Sequence, residues 1–427
     1  MRHIAALTAG AVLLATGCST PTETATPGSA APTTATSAPA PSALKVIDAK
    51  AFQSVVESRA KELTVPGAMV LARTPQGTFT AGVGTTELGT PNPPQPGTHF
   101  RIASNTKTMT AAVIVLLAQD GRLAFADPVS KYVPGVPNGD AITVAQLLKM
   151  RTGLFGYTAD PRLADAMDAD PGRAWTPQEV LDIAFSHPPQ FAPDAEYEYS
   201  NTNYALLGLI AEKVGGKPLR DQFAERLFGP AGMTQTSLPT ADDTAIPAPF
   251  SHGYMYGGSF YALADDPYPA DTAAAAKAGT LKPVDYTNQN SSYATAAGGA
   301  ISTAEDLATW MKALVTGEVF NADVQQQWLD SLQPEDPAAP DGQKYGYGIS
   351  YQRFGPRAAM YYHGGELPGF NSFMGYDPEN QVTLVIWTNL TLSPDGATTA
   401  NAMLPAVLDQ IYAGLNLAPS ATPTTTG

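Results

Sequence analysis

The sequence predicts an α+β fold: one antiparallel sheet assembled from distant parts of the chain, flanked by helices, plus a mostly helical lobe. Two observations carry this. Strand-like runs lie at both ends of the folded part: Gly67–Arg73 and Thr78–Gly84 near its start, then Tyr347–Gln352, Ala359–Tyr362, Ser372–Tyr376 and Val382–Asn389 near its finish. Between them the chain carries helical spacing and helix-capping signals.

In chain order, 43–63 reads as an amphipathic helix with Val46, Phe52, Val55, Val56 and Leu63 on or near one side. Thr74-Pro75-Gln76-Gly77 is turn-forming and joins the first two strands as a hairpin. Phe100–Ala103 delivers the chain to Ser104, where a buried helix is expected to begin, with Met109 to Leu117 as its apolar stretch. The helical lobe is placed at about 126–294, with Thr176-Pro177-Gln178-Glu179 as a capping box. Asn203–Val214 reads as a helix stopped by Gly215-Gly216, and Ser302-Thr303-Ala304-Glu305 caps another that runs through Trp310. Asp377–Asn380 joins the last two strands as a hairpin, and Thr399–Leu415 closes as a helix, kinked or begun late because of Pro405.

The two ends differ from the 44–417 body. Arg2 and His3 precede an apolar run, Ile4–Ala15, too short to span a bilayer and of the size of a signal peptide. It ends in Leu14-Ala15-Thr16-Gly17-Cys18, which resembles a bacterial lipobox, so Cys18 is the expected lipidation site and signal peptide 1–18 is removed. The other reading of Cys18 is an incidental cysteine after an ordinary signal peptide. As the single cysteine it forms no disulfide within the chain. Residues 19–43, almost all Thr, Ser, Pro and Ala, cannot bury enough apolar surface to offset chain entropy and are expected to be a disordered tether; 418–427 is alike. The protein is therefore expected to be exported and lipid-anchored to the cell membrane, facing the cell wall or periplasm.

A net charge of −15 argues against nucleic acid and against an electrostatic hold on anionic lipid, leaving the lipid on Cys18 as the membrane attachment. There is no glycine-rich phosphate loop, and His99, His187 and His252 lack metal-ligand spacing, so no cofactor or metal is expected.

The chemistry-bearing segment is Ser104-Asn105-Thr106-Lys107. Three residues is close to one helical turn, so serine and lysine share a face. A lysine held away from water has its neutral form favoured and can take the serine's proton. The pattern also occurs at Ser42–Lys45 and Ser58–Lys61, but the first lies at the edge of the tether and the second on a polar helix side. Only Ser104 opens a buried helix, where free N–H groups and the positive dipole end meet a developing negative charge.

Two later motifs join it in order: Tyr199-Ser200-Asn201 and His363-Gly364-Gly365. With them stand Leu147-Leu148, Thr152-Gly153-Leu154, Ala297-Gly298-Gly299, the Ser302–Leu307 cap and Pro368-Gly369-Phe370. This ordered set, over Val65 to Asn389, resembles the serine β-lactamase and D-alanyl-D-alanine carboxypeptidase family in its class C branch, which includes penicillin-binding proteins. The resemblance implies the β-lactamase/transpeptidase-like fold and a serine hydrolase that forms an acyl-enzyme on Ser104. It implies that Lys107 takes or shares the proton of Ser104, and that Tyr199 is the second acid–base group. Asn201 would hydrogen-bond Lys107 and a substrate amide, while His363 would polarise Tyr199 or orient the substrate. Gly365 would keep its strand low beside the substrate, and the N–H groups of Ser104 and Glu366 would form the oxyanion hole. Tyr286-Thr287-Asn288 matches the tyrosine motif too, but only Tyr199 directly precedes a helix as the family requires.

The sequence departs from the family in three places. Glu366 stands where peptidases often have threonine or serine; a carboxylate there repels a substrate's terminal carboxylate. Met150-Arg151 replaces the family's usual His-Thr or His-Ser, a packing change. Residues 246–295 hold Tyr254, Tyr256, Tyr261, Tyr268, Tyr286 and Tyr293, either an aromatic rim over the cleft or an ordinary surface loop. The expected function is hydrolysis of an amide or ester of a small-molecule or peptide acyl substrate at the cell envelope. A carboxylesterase of the same fold and a catalytically inactive surface scaffold are the alternatives. Glu366 weighs against a proficient carboxypeptidase or β-lactamase and towards a neutral or cationic acyl group.

Overall fold

The computed structural model describes residues 43–264 and 266–415. Cys18, the signal peptide, nearly all of the tether and the tail lie outside the described residues.

Eight strands form one sheet: β1 (Gly67–Thr74), β2 (Gly77–Gly84), β3 (Gln333–Pro334), β4 (Lys344–Tyr345), β5 (Ser350–Gly355), β6 (Ala358–Leu367), β7 (Phe370–Asp377) and β8 (Val382–Thr388). Their order is β2-β1-β8-β7-β6-β5-β4-β3, antiparallel throughout. The sheet is thus joined across the chain at β1 and β8, where Val70 pairs with Ile386. That long-range pairing follows from the burial of both faces. Along β1, Ala68, Val70 and Ala72 point into one core, while Met69 and Leu71 point into the other. Both faces being covered, β8 reads Val-Thr-Leu-Val-Ile-Trp-Thr with every residue buried.

Helices α1 (Ala49–Glu62) and α6 (Thr399–Ile411) cover one face; α5 (Ala304–Thr316) and the helical region cover the other. The first helix starts later than its pattern predicts. Asp48 adopts extended backbone and accepts from the Ala51 N–H, which fixes the start there and leaves Val46 91% exposed. Helix α6 begins at Thr399 and runs through Pro405, so the expected late start does not occur. The strand expected from Tyr347 starts at Ser350, because Gly348 turns the chain at φ +75°.

Helix α2 (Thr106–Gln119) is buried along almost its whole length, from Thr106 to Leu117. It is apolar all round because it runs through the middle of the larger core, packed against α3 (Asn201–Gly215). Burying each large side chain there contributes ~1.5–3 kcal/mol, enough to hold a lysine that no aqueous helix would hide. The short α4 (Thr295–Gly298) packs against both α2 and α3. These elements place the site where α2 and α3 meet the edge of β6.

Candidate active site

Ser104 lies in a 3₁₀ turn, Ala103–Asn105, immediately before α2, rather than in the α-helix itself. Ala103 and Asn105 are buried while Ser104 is partly exposed, so the turn offers one side chain to the cleft. The turn is strained: Ala103 adopts φ 49°, a conformation that costs a residue with a Cβ about 1–3 kcal/mol. It is pinned from beneath by Asn105, whose Nδ2 donates to Ile102 O at 2.9 Å and to Ser372 Oγ of β7 at 2.8 Å.

Lys107 points back along α2 towards this turn. Its Nζ donates to Ser104 Oγ at 2.8 Å, to Asn201 Oδ1 at 2.6 Å and to the Ala297 carbonyl at 2.9 Å. It also lies 4.7 Å from the centre of the Tyr199 ring. The side chain is fully buried, and desolvation pushes its pKa well below 10.5. The three partners determine what the neutral amine would do. Ala297 O accepts only, and Asn201 is held with Oδ1 towards the lysine because its Nδ2 donates to Thr158 Oγ1 at 3.0 Å. A neutral amine therefore keeps its two hydrogens on those oxygens and aims its lone pair at Ser104 Oγ. The arrangement is that of a base hydrogen-bonded to a nucleophile and oriented by third groups.

Asn201 is the first residue of α3, and Ser200 its cap position, which sets the tyrosine motif at the helix start. Met150 lies beneath it: its Sδ accepts from Ser200 N at 3.5 Å and from Asn203 Nδ2 at 3.3 Å, while Arg151 Nη2 donates to Pro334 O at 2.7 Å. The Met150-Arg151 departure is thus a repacking under α3.

Tyr199, Asn201, Gly364, Gly365 and Glu366 line the same cleft as Ser104, together with Thr158, Tyr157, Tyr293 and Leu367. Gly365 has no room for a side chain. A Cβ would collide with Ile102 O and come within 2.6 Å of Ser372 Oγ and 2.8 Å of Asn105 Nδ2. Glycine here lets β6 lie directly against the serine turn. The charge on Glu366 bears on the phenols of Tyr268 and Tyr293, both pushed up chiefly by burial.

His363 is buried behind the cleft, 1% exposed. Burial, with the charge of Lys107, lowers its pKa to about 3, so the ring is neutral. Its Nδ1 lies 2.6 Å from Gly364 O and its Nε2 3.2 Å from the Tyr345 hydroxyl. Sequence reasoning missed Tyr345 and Thr158, and it named Ala297 only as part of the framework, not as a group that orients Lys107.

The remaining sequence candidates lie elsewhere. Tyr286 donates to Gly257 O at 2.8 Å, and Thr287 accepts from Gly253 N and, through its carbonyl, from Arg101. That second tyrosine motif is structural. Of the six tyrosines in 246–295, Tyr293 lines the cleft, while Tyr256, Tyr261 and Tyr268 pack on one another in the second core. The stretch is not an aromatic rim. Ser58 pairs with Glu62 on the exposed side of α1. Among the described residues, no His, Cys, Asp or Glu side chains gather as a candidate metal site.

An antiparallel sheet flanked by helices, carrying Ser-x-x-Lys at the front of a buried helix, defines the β-lactamase/transpeptidase-like fold of serine hydrolases. Comparison with known proteins agrees. The Beta-lactamase family model matches residues 52–408, and the chain belongs to that family. Among solved structures it is similar to the D-stereospecific amidohydrolase from Streptomyces sp., with a TM-score of 0.71 and 29% identity over 84% of this chain and 98% of that one. The D-amino acid amidase from Ochrobactrum anthropi SV3 gives a TM-score of 0.70 and 28% identity, covering 84% and 97%. Protein flp of Staphylococcus aureus (strain N315) is 27% identical over 348 residues, 79% of this chain and 62% of that protein. The match therefore spans less than two thirds of flp.

Proposed function

We propose that this protein is a serine amidohydrolase that works through an acyl-enzyme on Ser104 and accepts amides whose acyl part carries an ammonium group, as a D-amino acid amide does. The observation that carries the reading is the threefold hold on Lys107 Nζ, which aims its lone pair at Ser104 Oγ. In the acylation step Ser104 Oγ bonds to the amide carbon as its proton passes to Lys107. The N–H groups of Ser104 and Glu366 receive the oxyanion. The C–N bond then breaks, and the leaving amine takes its proton from Lys107, with Tyr199 as the second acid–base group. Water hydrolyses the ester by the reverse proton path, which returns Ser104. A positioned base of this kind is worth ~10²–10⁴ in rate.

Two features support the substrate class. Glu366 lines the cleft with its carboxylate oxygens buried behind the wall, and its negative charge favours an ammonium and disfavours the terminal carboxylate of a D-alanyl-D-alanine peptide. The two similar solved structures named above are an amidohydrolase and an amidase of D-configured substrates. The sequence around Cys18 supports a site of action at the cell envelope, where lipidation would tether the domain.

A panel of D- and L-amino acid amides, p-nitrophenyl esters, nitrocefin and a D-alanyl-D-alanine peptide tests the reading on wild type and Glu366→Gln. The expected result is preference for a D-amino acid amide, reduced about tenfold in kcat/KM by Glu366→Gln, the order of removing one nearby charge. Equal turnover of N-acetylated and free-amine amides would overturn the ammonium assignment.

A further inference from the structure

The hydroxyl of Tyr345 lies 3.2 Å from His363 Nε2, and both side chains are buried, 2% and 1% exposed. The direction of this hydrogen bond follows from the other ring nitrogen. His363 Nδ1 is 2.6 Å from the Gly364 carbonyl, which can only accept, so Nδ1 carries the hydrogen. A neutral imidazole protonated at Nδ1 has a lone pair at Nε2, so Tyr345 is the donor. The groups that face this pair are Lys107 from α2, Tyr199 and Tyr204 from α3 and the segment before it, and Tyr197, which itself interacts with Glu335.

The same tyrosine touches the other side of the site. Its ring and that of Tyr199 make a T-shaped pair, with centroids 6.2 Å apart and planes at 84°. His363 and Tyr199 are themselves ring neighbours at 6.3 Å. The segment that follows Tyr345 is seated on α2: a Cβ on Gly348 would run into Ala111 and lie 3.1 Å from the Lys107 carbonyl. Only glycine lets that turn approach the helix that carries Ser104 and Lys107 so closely.

We propose that Tyr345 is a positioning residue. By donating to His363 it holds the imidazole as a proton acceptor, and through its T-shaped ring contact it fixes Tyr199, so that proton traffic runs through Lys107 and Tyr199 and not through the histidine. This rests on the reading of Ser104, Lys107 and Tyr199 as the reacting groups, and it narrows the sequence expectation for His363 to that of an oriented wall.

Two measurements test it. In ¹⁵N NMR of the wild type, His363 is expected as the Nδ1–H tautomer with an unprotonated Nε2 from about pH 5 to about pH 9, a range set by the ordinary histidine pKa. In Tyr345→Phe the Nε2 resonance should move towards that of an imidazole nitrogen without a donor. A protonated Nε2 in the wild type, or an Nε2 resonance that the substitution does not move, overturns the proposal whatever the activity. In kinetics, Tyr345→Phe should lower kcat about tenfold with KM little changed, the order of one lost buried hydrogen bond. In a His363→Phe background the same substitution should cost less than about twofold, since its partner is gone. An equal loss in both backgrounds contradicts action through His363. A wild type that turns over no amide or ester would sink the catalytic reading while leaving the NMR result to decide the hydrogen bond.

Discussion

The Nζ of Lys107 reaches the backbone carbonyl of Ala297 at 2.9 Å, a contact between residues 190 apart in the chain. The carbonyl comes from the short helix Thr295–Gly298, whose first residue is held at φ 48°, an unfavourable conformation for a β-branched side chain. The fold thus spends strain on both sides of the lysine, at Ala103 and at Thr295, and sets its charge and lone pair by backbone placement.

Lys107 titrates well below 10.5 in the folded protein because it is desolvated. Between its folded and unfolded pKa values the unfolded chain binds one more proton, so stability rises with pH through that interval. The cost of burying the charge is full below the folded pKa and vanishes as pH climbs to the unfolded one. Urea midpoints of wild type against Lys107→Met, compared from about pH 7 to about pH 10, should show the difference shifting in favour of the wild type. The same substitution should lower kcat/KM by about 10³ or more, as loss of the base.

Asn201→Asp places a carboxylate where Oδ1 now accepts from Lys107 at 2.6 Å. A neighbouring negative charge stabilises the ammonium and raises the lysine pKa. The acid limb of the pH–rate profile should move to higher pH by about one unit or more, and activity at neutral pH should fall about tenfold and recover in alkali. An unmoved acid limb would mean that Lys107 is not the group it reports.

Gly365→Ala forces a Cβ against Ile102 O, Ser372 Oγ and Asn105 Nδ2, two of which belong to the turn around Ser104 and its approach. Overpacking of this kind costs ~1–3 kcal/mol. The variant should fold with a lower Tm and lose most of its activity, because β6 and the serine turn must separate. Undiminished acylation in a folded variant would contradict the close approach.

The sequence made legible what is local. Ser104 and Lys107 declare themselves because one helical turn fixes their relation, and Asn201 through the motif that precedes a helix read from Asn203, which the structure starts at Asn201. The antiparallel sheet was legible because its strands carry alternation or continuous apolar runs that only a doubly covered sheet can bury. What stayed hidden is what long-range packing supplies. Ala297 stands in a framework motif, but what it gives Lys107 is a carbonyl, which every residue has, so its residue identity does not mark that role. Tyr345 was one tyrosine among 18, and only the fold brings its hydroxyl to His363. Helix and strand starts moved for local reasons with a tertiary outcome: Asp48 caps α1, and Gly348 turns the chain into contact with α2.

The central claim is that Ser104 is a nucleophile poised by Lys107, and covalent labelling tests it most directly. The folded protein is incubated with a fluorescent penicillin or an activated ester of a D-amino acid and analysed by intact mass and peptide mapping. The account predicts one adduct, on Ser104, absent from Ser104→Ala and slowed about 10³-fold or more in Lys107→Met. Folded wild-type protein that carries no adduct on Ser104, or labels equally well without Lys107, would contradict it.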